Sequence, residues 1–345
     1  MEEWSATRIN VANYCKMRFY LNYCARPRAK QARLPALEKG TVLHEMIELF
    51  WVKNDGVKVP RFSSAEEFAT KAKGKWMRNV IASENSKRPD RKIEWNSNQE
   101  RYILGAQIHQ ICRRLYDYFI AEGPPLYTEH GFWFSYEQDG RRMAFRGYID
   151  EIRLRDGKVI LRDYKSMKPE RMKEEKVDHD PQLTLYNVAV CALSRADPDF
   201  ARSLGLEDIA HTFMGNPAFT SDRVHPEFFV LDSLIPQKDP GQTPHQVVFP
   251  SARNDAHFHA LRRMIEITKN AVASGQIVYE PGVKCGFCPL KTPCLKLYDQ
   301  VANELPQNPP KQLIFNFAAQ SFMYRPPPIK KPKVSQKRFH WKKPK

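Results

Sequence analysis

A two-residue turn constrains this chain more than any other feature. Asp156-Gly157 lies between two strand-like runs, Met143 to Leu154 and Val159 to Lys165. Asp-Gly favours a tight hairpin because both central residues can take positive φ. The turn sets a register in which Arg155 faces Lys158, Leu154 faces Val159, Glu151 faces Arg162 and Asp150 faces Asp163. Side chains opposed in this way lie roughly 5 Å apart on one face. Two facing carboxylates repel, and a divalent cation with oxygen ligands is the natural filler. Lys165, two residues beyond Asp163, emerges on the same face. A lysine beside a metal can orient or deprotonate an attacking water and offset phosphate charge, which are parts that phosphodiester hydrolysis requires. Glu151 and Arg162, on the opposite face, read as an ordinary cross-strand ion pair.

Charge narrows the partner. The 345 residues carry 55 Lys+Arg against 39 Asp+Glu, a formal net charge of +16. Such an excess favours a polyanion, either nucleic acid or an anionic membrane surface. No apolar run approaches the ~18 residues of a bilayer span. Met1-Glu2-Glu3-Trp4 lacks the basic-then-apolar start of a secretory leader. The expectation is a soluble cytoplasmic protein, with no membrane and with nucleic acid as partner. Hydrophobic residues make up 42%, enough to bury a core. The chain has no G-x-x-x-x-G-K-[ST] loop, which speaks against an ATP-driven motor.

Periodicity predicts a helix from Asn10 to Tyr23, a basic loop from Arg26 to Arg33, and a second helix opened by Gly40-Thr41. In that helix Leu43, Met46, Ile47 and Phe50 form one apolar stripe. Phe62 to Glu122 reads as polar and helical. From Gly131 the period changes to two. Beyond the hairpin, a charged loop from Lys168 to Pro181 leads to a helix from Gln182 to about Leu193. Strands follow at Glu227 to Leu231 and Gln246 to Phe249, then a helix from Arg253 to Ser274. From Pro306 the chain turns Pro-rich and basic, with Pro326-Pro327-Pro328 and a run of lysines, and a disordered tail is expected. Cys285, Cys288 and Cys294 form C-x2-C-x5-C, a spacing at which thiolates grip one metal centre. Cys15 and Cys24 are both candidates for a fourth ligand, and zinc and iron–sulfur both fit. Cys112 and Cys191 fall in helical patterns and read as small buried residues.

Gly147-Tyr148-Ile149-Asp150 followed by Asp163-Tyr164-Lys165 resembles the core of the PD-(D/E)XK nuclease superfamily. It most resembles the branch containing the RecB nuclease domain and the CRISPR-associated RecB-like exonucleases. In that branch a histidine on an upstream helix joins the metal, and His44 matches it. A Q-x-x-x-Y motif follows the lysine strand, and Gln182 with Tyr186 matches it, sharing one helix face. The resemblance implies Mg2+ or Mn2+ held by His44, Asp150 and Asp163, with the Tyr164 carbonyl helping. Lys165 would position or activate water, and Gln182 and Tyr186 would contact substrate and brace the lysine. Cluster-bearing members join one N-terminal cysteine to three C-terminal ones around a 4Fe-4S cluster. The Asn13 to Leu21 segment favours Cys15 for that place, although Lys16 stands where proline is usual.

The resemblance spans roughly residues 10 to 300 and implies an α/β restriction-endonuclease-like core, a central mixed sheet flanked by helices. Residues 1–300 would form one nuclease domain with a helical insertion at about 60–125 and a cysteine-cluster cap made by both ends, and 301–345 a basic tail. The implied activity is a DNA exonuclease acting on single strands or free ends. The setting would be bacterial or phage recombination, repair or CRISPR-type DNA processing, with a protein partner from one of those pathways. The competing readings are a non-catalytic DNA-binding or recombination-accessory protein that keeps the fold, and an RNA-directed nuclease.

Overall fold

Both central residues of the Asp156-Gly157 turn take positive φ, 52° and 70°. The strands it joins pair from Arg155↔Lys158 to Glu151↔Arg162, as the register requires. The same chemistry recurs at Asp55-Gly56, with φ of 48° and 82°. That turn closes a second short hairpin not foreseen from the apolar pattern. The computed structural model describes residues 3–25, 33–88, 91–138, 141–167, 169–172, 174–211, 219–231, 246–274, 276–279, 285, 288, 290–291, 294–295, 313–316 and 339–340.

In chain order the strands begin with β1 (Glu3–Trp4), β2 (Trp51–Asn54), β3 (Val57–Pro60), β4 (Tyr127–Gln138), β5 (Arg141–Arg155) and β6 (Lys158–Ser166). They continue with β7 (Val224–Leu231), β8 (Gln246–Pro250), β9 (Gln276–Tyr279), β10 (Leu313–Asn316) and β11 (Phe339–His340). The helices begin with α1 (Ala6–Tyr14), α2 (Lys16–Phe19), α3 (Pro35–Glu48), α4 (Ala65–Glu84) and α5 (Glu100–Glu122). They end with α6 (Glu174–Asp178), α7 (Pro181–Ala196), α8 (Pro198–Ser203), α9 (Glu207–His211) and α10 (Asp255–Ala273). The main sheet has the order β11-β4-β5-β6-β7-β8, with β1 beside β5. It is mixed, since β6 and β7 run parallel while β5–β6 and β7–β8 are antiparallel.

The chain divides into two compact units. One comprises Ala32–Phe132 and Tyr148–Asn254. There the alternation of β7 sorts the two faces. Phe229 and Leu231 join Tyr164 and the buried stripes of α3, α4 and α5. Phe228 and Val230 pack instead with Val177 of α6 and Leu183 of α7. Helices therefore cover both faces of this part of the sheet. The segment expected as a helical insertion, α4 and α5, is packed into this core through Phe68, Trp76, Leu115 and Phe119.

The other unit comprises Met1–Gln31, Trp133–Gly147 and Asp255–Lys345. Its packing includes Trp4 stacked on Phe19 at 5.4 Å and Phe258 against Tyr136 and Phe145. The helix expected over Asn10 to Tyr23 is broken at Cys15. The Cys15 amide closes α1 on the Val11 carbonyl, and its Sγ accepts the Arg18 amide at 3.4 Å to start α2. The second predicted helix starts earlier than Gly40, because Pro35 is pre-set for the first helical turn. All but Arg33 of the basic loop lies outside the described residues, as does most of the basic tail. Within the tail region, β10 pairs with β9, and β11 runs beside Phe134 and Ser135.

Glu151 and Arg162 are not an ordinary surface pair, because α3, α4 and α5 close over their face. Arg162 is fully buried. Its guanidinium donates to Glu227 at 2.8 Å and to both oxygens of Glu122 at 2.7 and 3.0 Å, with Glu151 at 3.6 Å. Arg153 pairs with Glu151 and with Glu122. Removing one member of such a network strands buried charge and costs ~3–5 kcal/mol. Arg162→Leu should lower the unfolding free energy by that amount in urea denaturation. A loss below ~1 kcal/mol would match an exposed pair and contradict this account.

Candidate active site

Regular pairing of β5 with β6 ends at Glu151↔Arg162. One step on, where Asp150 and Asp163 would face each other, the Tyr164 amide donates to the Asp150 carboxylate at 2.8 Å. Like charges forced together favour such an opening of the ladder. Strand β6 continues beside β7, with Asp163 opposite Phe228 and Lys165 opposite Val230. Both carboxylates are buried, Asp163 almost completely. Burial pushes the Asp163 carboxyl up to about 6, while the Lys165 ammonium pulls the other way.

Helix α3 brings His44 to this opening. Its Nδ1 lies 3.2 Å from the Asp150 carboxylate and its Nε2 3.0 Å from the Tyr164 carbonyl oxygen. Burial opposes charge on the ring, but Asp150, Asp163 and Glu129 prevail and raise its pKa to about 9. The ring is thus a cation that donates to two oxygens a divalent ion would also attract. Glu129 of β4 is the residue that the sequence reading missed. Its Oε1 lies 3.9 Å from His44 Nδ1. It takes a φ of 46° within a strand, which turns the chain in a way no period-two pattern shows. Burial, then the Asp150 charge, raises its carboxyl to about 7. His44, Glu129 and Asp150 each offer a ligand atom within 4.8 Å of the others. Carboxylate oxygens with one imidazole form a donor set able to hold a divalent ion.

Lys165 reaches Asp163 at 2.6 Å and donates to Gln182 Oε1 at 2.9 Å. Burial disfavours its charge, but Asp163 outweighs that and raises its pKa. The ammonium therefore stays charged, which suits a fixed cation better than a base. Asp180 caps α7 by accepting the Gln182 amide at 2.8 Å. From the first turn of α7, the Gln182 side-chain amide donates to Asp163 and, at 2.7 Å, to Tyr186 Oη. The Tyr186 hydroxyl donates to Asp163 at 3.2 Å, and its ring is buried. Gln182 and Tyr186 are thus turned inward as braces of Asp163 and Lys165. Every residue expected at the hydrolytic site lies in one place: His44, Asp150, Asp163, Tyr164, Lys165, Gln182 and Tyr186.

Three of the expected cluster cysteines lie near the fourth, Cys294. The Cys294 thiol is pushed up to about 12, by burial first and then by Cys15, Cys288 and Cys285. Cys24 lies beside Tyr20. The Cys288 amide donates to the Cys285 carbonyl and the Cys294 amide to the Leu290 carbonyl. Thiols are soft donors of the kind zinc and iron–sulfur clusters take, but among the described residues the group whose ligand atoms all lie within 4.8 Å of one another is His44, Glu129 and Asp150, not these cysteines. Cys112 and Cys191 are buried, as expected of small core residues.

A mixed sheet flanked by helices, with paired acids and a lysine at an opening in its ladder, is the restriction-endonuclease-like arrangement. The family model of the PD-(D/E)XK nuclease superfamily matches residues 3–295, and the chain belongs to that superfamily. Its members are typically nucleases that use a divalent metal. A solved structure described as "Crystal structure of SSO0001" aligns at 11% identity over 74% of this chain and 95% of that one, with a TM-score of 0.28. A likeness that weak carries nothing further. Comparison with curated proteins gave no match. No helix among the described residues is long and apolar enough to cross a membrane.

The proton load of the site predicts how it takes up metal. Glu129 holds its proton up to about pH 7 and His44 up to about pH 9, so an incoming ion must displace protons. Mn2+ affinity should rise from about pH 6 to about pH 8, by roughly tenfold per pH unit for each proton displaced. Calorimetric titration checks this, and Glu129→Gln should flatten the slope and weaken binding. An affinity independent of pH would contradict the assignment.

Proposed function

We propose that the protein is a metal-dependent DNA nuclease of the RecB-like, iron–sulfur branch, an exonuclease acting at single-stranded or free ends. The observation that carries this reading is the undivided set of His44, Asp150, Asp163 and Lys165 around one opening, braced by Gln182 and Tyr186. A Mg2+ or Mn2+ ion held by Asp150, Asp163, His44 and the Tyr164 carbonyl, with Glu129 beside them, would polarise the phosphodiester and activate water. Lys165 supplies fixed positive charge where the phosphate gains negative charge. Gln182 holds the ammonium and the Asp163 carboxylate in one geometry, so neither must reorganise during the reaction. The +16 net charge favours a nucleic-acid partner. A cytoplasmic role in DNA recombination, repair or CRISPR-type processing, in a bacterial or phage-infected cell, fits that activity.

The competing reading is a DNA-binding accessory protein that keeps the fold. The intact lysine and carboxylates favour catalysis, since binding alone has no use for two buried acids held beside a fixed lysine. The test is digestion of end-labelled single-stranded DNA with Mn2+. Lys165→Ala should lower the rate by about 100-fold or more, and Lys165→Arg by less, because charge rather than basicity is the function. Equal rates for wild type and Lys165→Ala would reject the reading.

We assign Cys15, Cys285, Cys288 and Cys294 as ligands of a 4Fe-4S cluster, with structural zinc the competitor. The support is that Cys15, Cys285 and Cys288 all act on the Cys294 thiol. Such a cluster would staple the N-terminal helices to the C-terminal segment within their own unit. Protein purified without oxygen should be brown, with about four irons per chain. Cys15→Ser should lose the iron and Cys24→Ser should keep it. A colourless protein with one zinc would overturn the cluster.

A further inference from the structure

A cavity of about 480 Å3 opens beside the proposed hydrolytic site, with His44, Glu129 and Asp150 at one end and Leu37, Gly40 and Thr41 in its wall. Its size lies within the roughly 300–1,000 Å3 of small-molecule sites. The part of the wall contributed by the first half of α3, Ala36, Leu37, Gly40 and Thr41, is uncharged. Leu37 is 66% exposed, an apolar side chain standing in solvent. At Gly40 an added Cβ would meet nothing within 4 Å, so bare helix faces open space there. The Thr41 hydroxyl is engaged by the Leu37 carbonyl at 3.1 Å, which leaves that wall few hydrogen-bonding groups.

The charged side chains around the rest of the cavity are acids or His44. Glu45 and Glu48 join Glu129 and Asp150 in the lining, and among the described residues that line it there is no lysine or arginine. Glu45 is held by Lys75 at 2.7 Å. A phosphate entering this space would be repelled except at the metal ligands themselves. An uncharged group of flat, apolar character meets no such penalty. A nucleic acid offers one such group directly joined to a phosphate, its nucleoside.

We propose that this cavity is a nucleoside subsite. It receives the unpaired base and sugar adjoining the phosphodiester that is cut, with Leu37 as the apolar contact and Gly40 leaving the room. The proposal rests on the nuclease reading and adds to it the residues that receive the nucleoside beside the cut. A base that is paired and stacked in a duplex cannot enter, so the nucleotide at the cut must be single-stranded or flipped out. Bare helix at Gly40 acquires a purpose here, because glycine within a helix costs about 1 kcal/mol relative to alanine.

The test uses a short single-stranded oligonucleotide and a set of copies, each lacking one base, cut by wild type, Gly40→Leu and Leu37→Glu with Mn2+. Gly40→Leu adds a side chain where nothing clashes and favours the helix. Leu37→Glu changes an exposed position outside the core. Wild type should cut about tenfold or more slowly at the phosphate whose neighbouring base is missing, the scale of one lost base contact. Gly40→Leu should cut intact and base-lacking strands at the same slow rate, with Mn2+ affinity unchanged. Leu37→Glu should shift the preference in the same direction. The proposal is overturned if wild type ignores every missing base, or if both variants keep the wild-type preference. A wild type that cuts no DNA would reject the nuclease reading itself, and that result is seen before any variant is compared.

Discussion

Asp150 and Asp163 arrive on neighbouring strands at a point where their charges would repel, and the surrounding residues meet that repulsion. The β5–β6 ladder opens there. The Tyr164 amide binds one carboxylate, and the Lys165 ammonium and the Gln182 amide bind the other. The His44 ring lies between Asp150 and the Tyr164 carbonyl as a cation. Each of these groups would be needless without two buried acids. Together they define a place where a divalent ion could replace a proton and a protonated ring.

The opposite face of the same strands is organised by charge as well. Arg162 and Arg153 are enclosed with Glu122, Glu151 and Glu227 beneath α3, α4 and α5. The Tyr164 hydroxyl reaches Glu151 in that network, while its backbone serves the site on the other side. One residue thus ties a buried ionic core to the metal ligands. A rigid second layer of this kind holds ligands in a fixed geometry, which matters more for chemistry than for stability.

Much of the site was legible because it rests on short-range rules. Asp156-Gly157 set a register, and the register placed Asp150, Asp163 and Lys165. Helical spacing put Gln182 and Tyr186 on one face. Other features follow from contacts distant in sequence. Glu129 acts through a left-handed turn within a strand, which leaves no trace in hydrophobic period. Glu151 and Arg162 read as an ordinary cross-strand ion pair because the helices that bury them come from elsewhere in the chain. The inward direction of Tyr186 depended on which side of α7 faces β6. The break at Cys15 came from a thiol capping a helix, a role that residue type alone does not announce.

The most direct test is anomalous diffraction from a crystal soaked in Mn2+. The account predicts a peak between Asp150, Asp163 and His44, with ligand oxygens and the imidazole nitrogen at about 2.0–2.4 Å, and the His44 ring no longer donating to the Tyr164 carbonyl. A Mn2+ site elsewhere on the protein, with Asp150 and His44 still paired to each other, would contradict it.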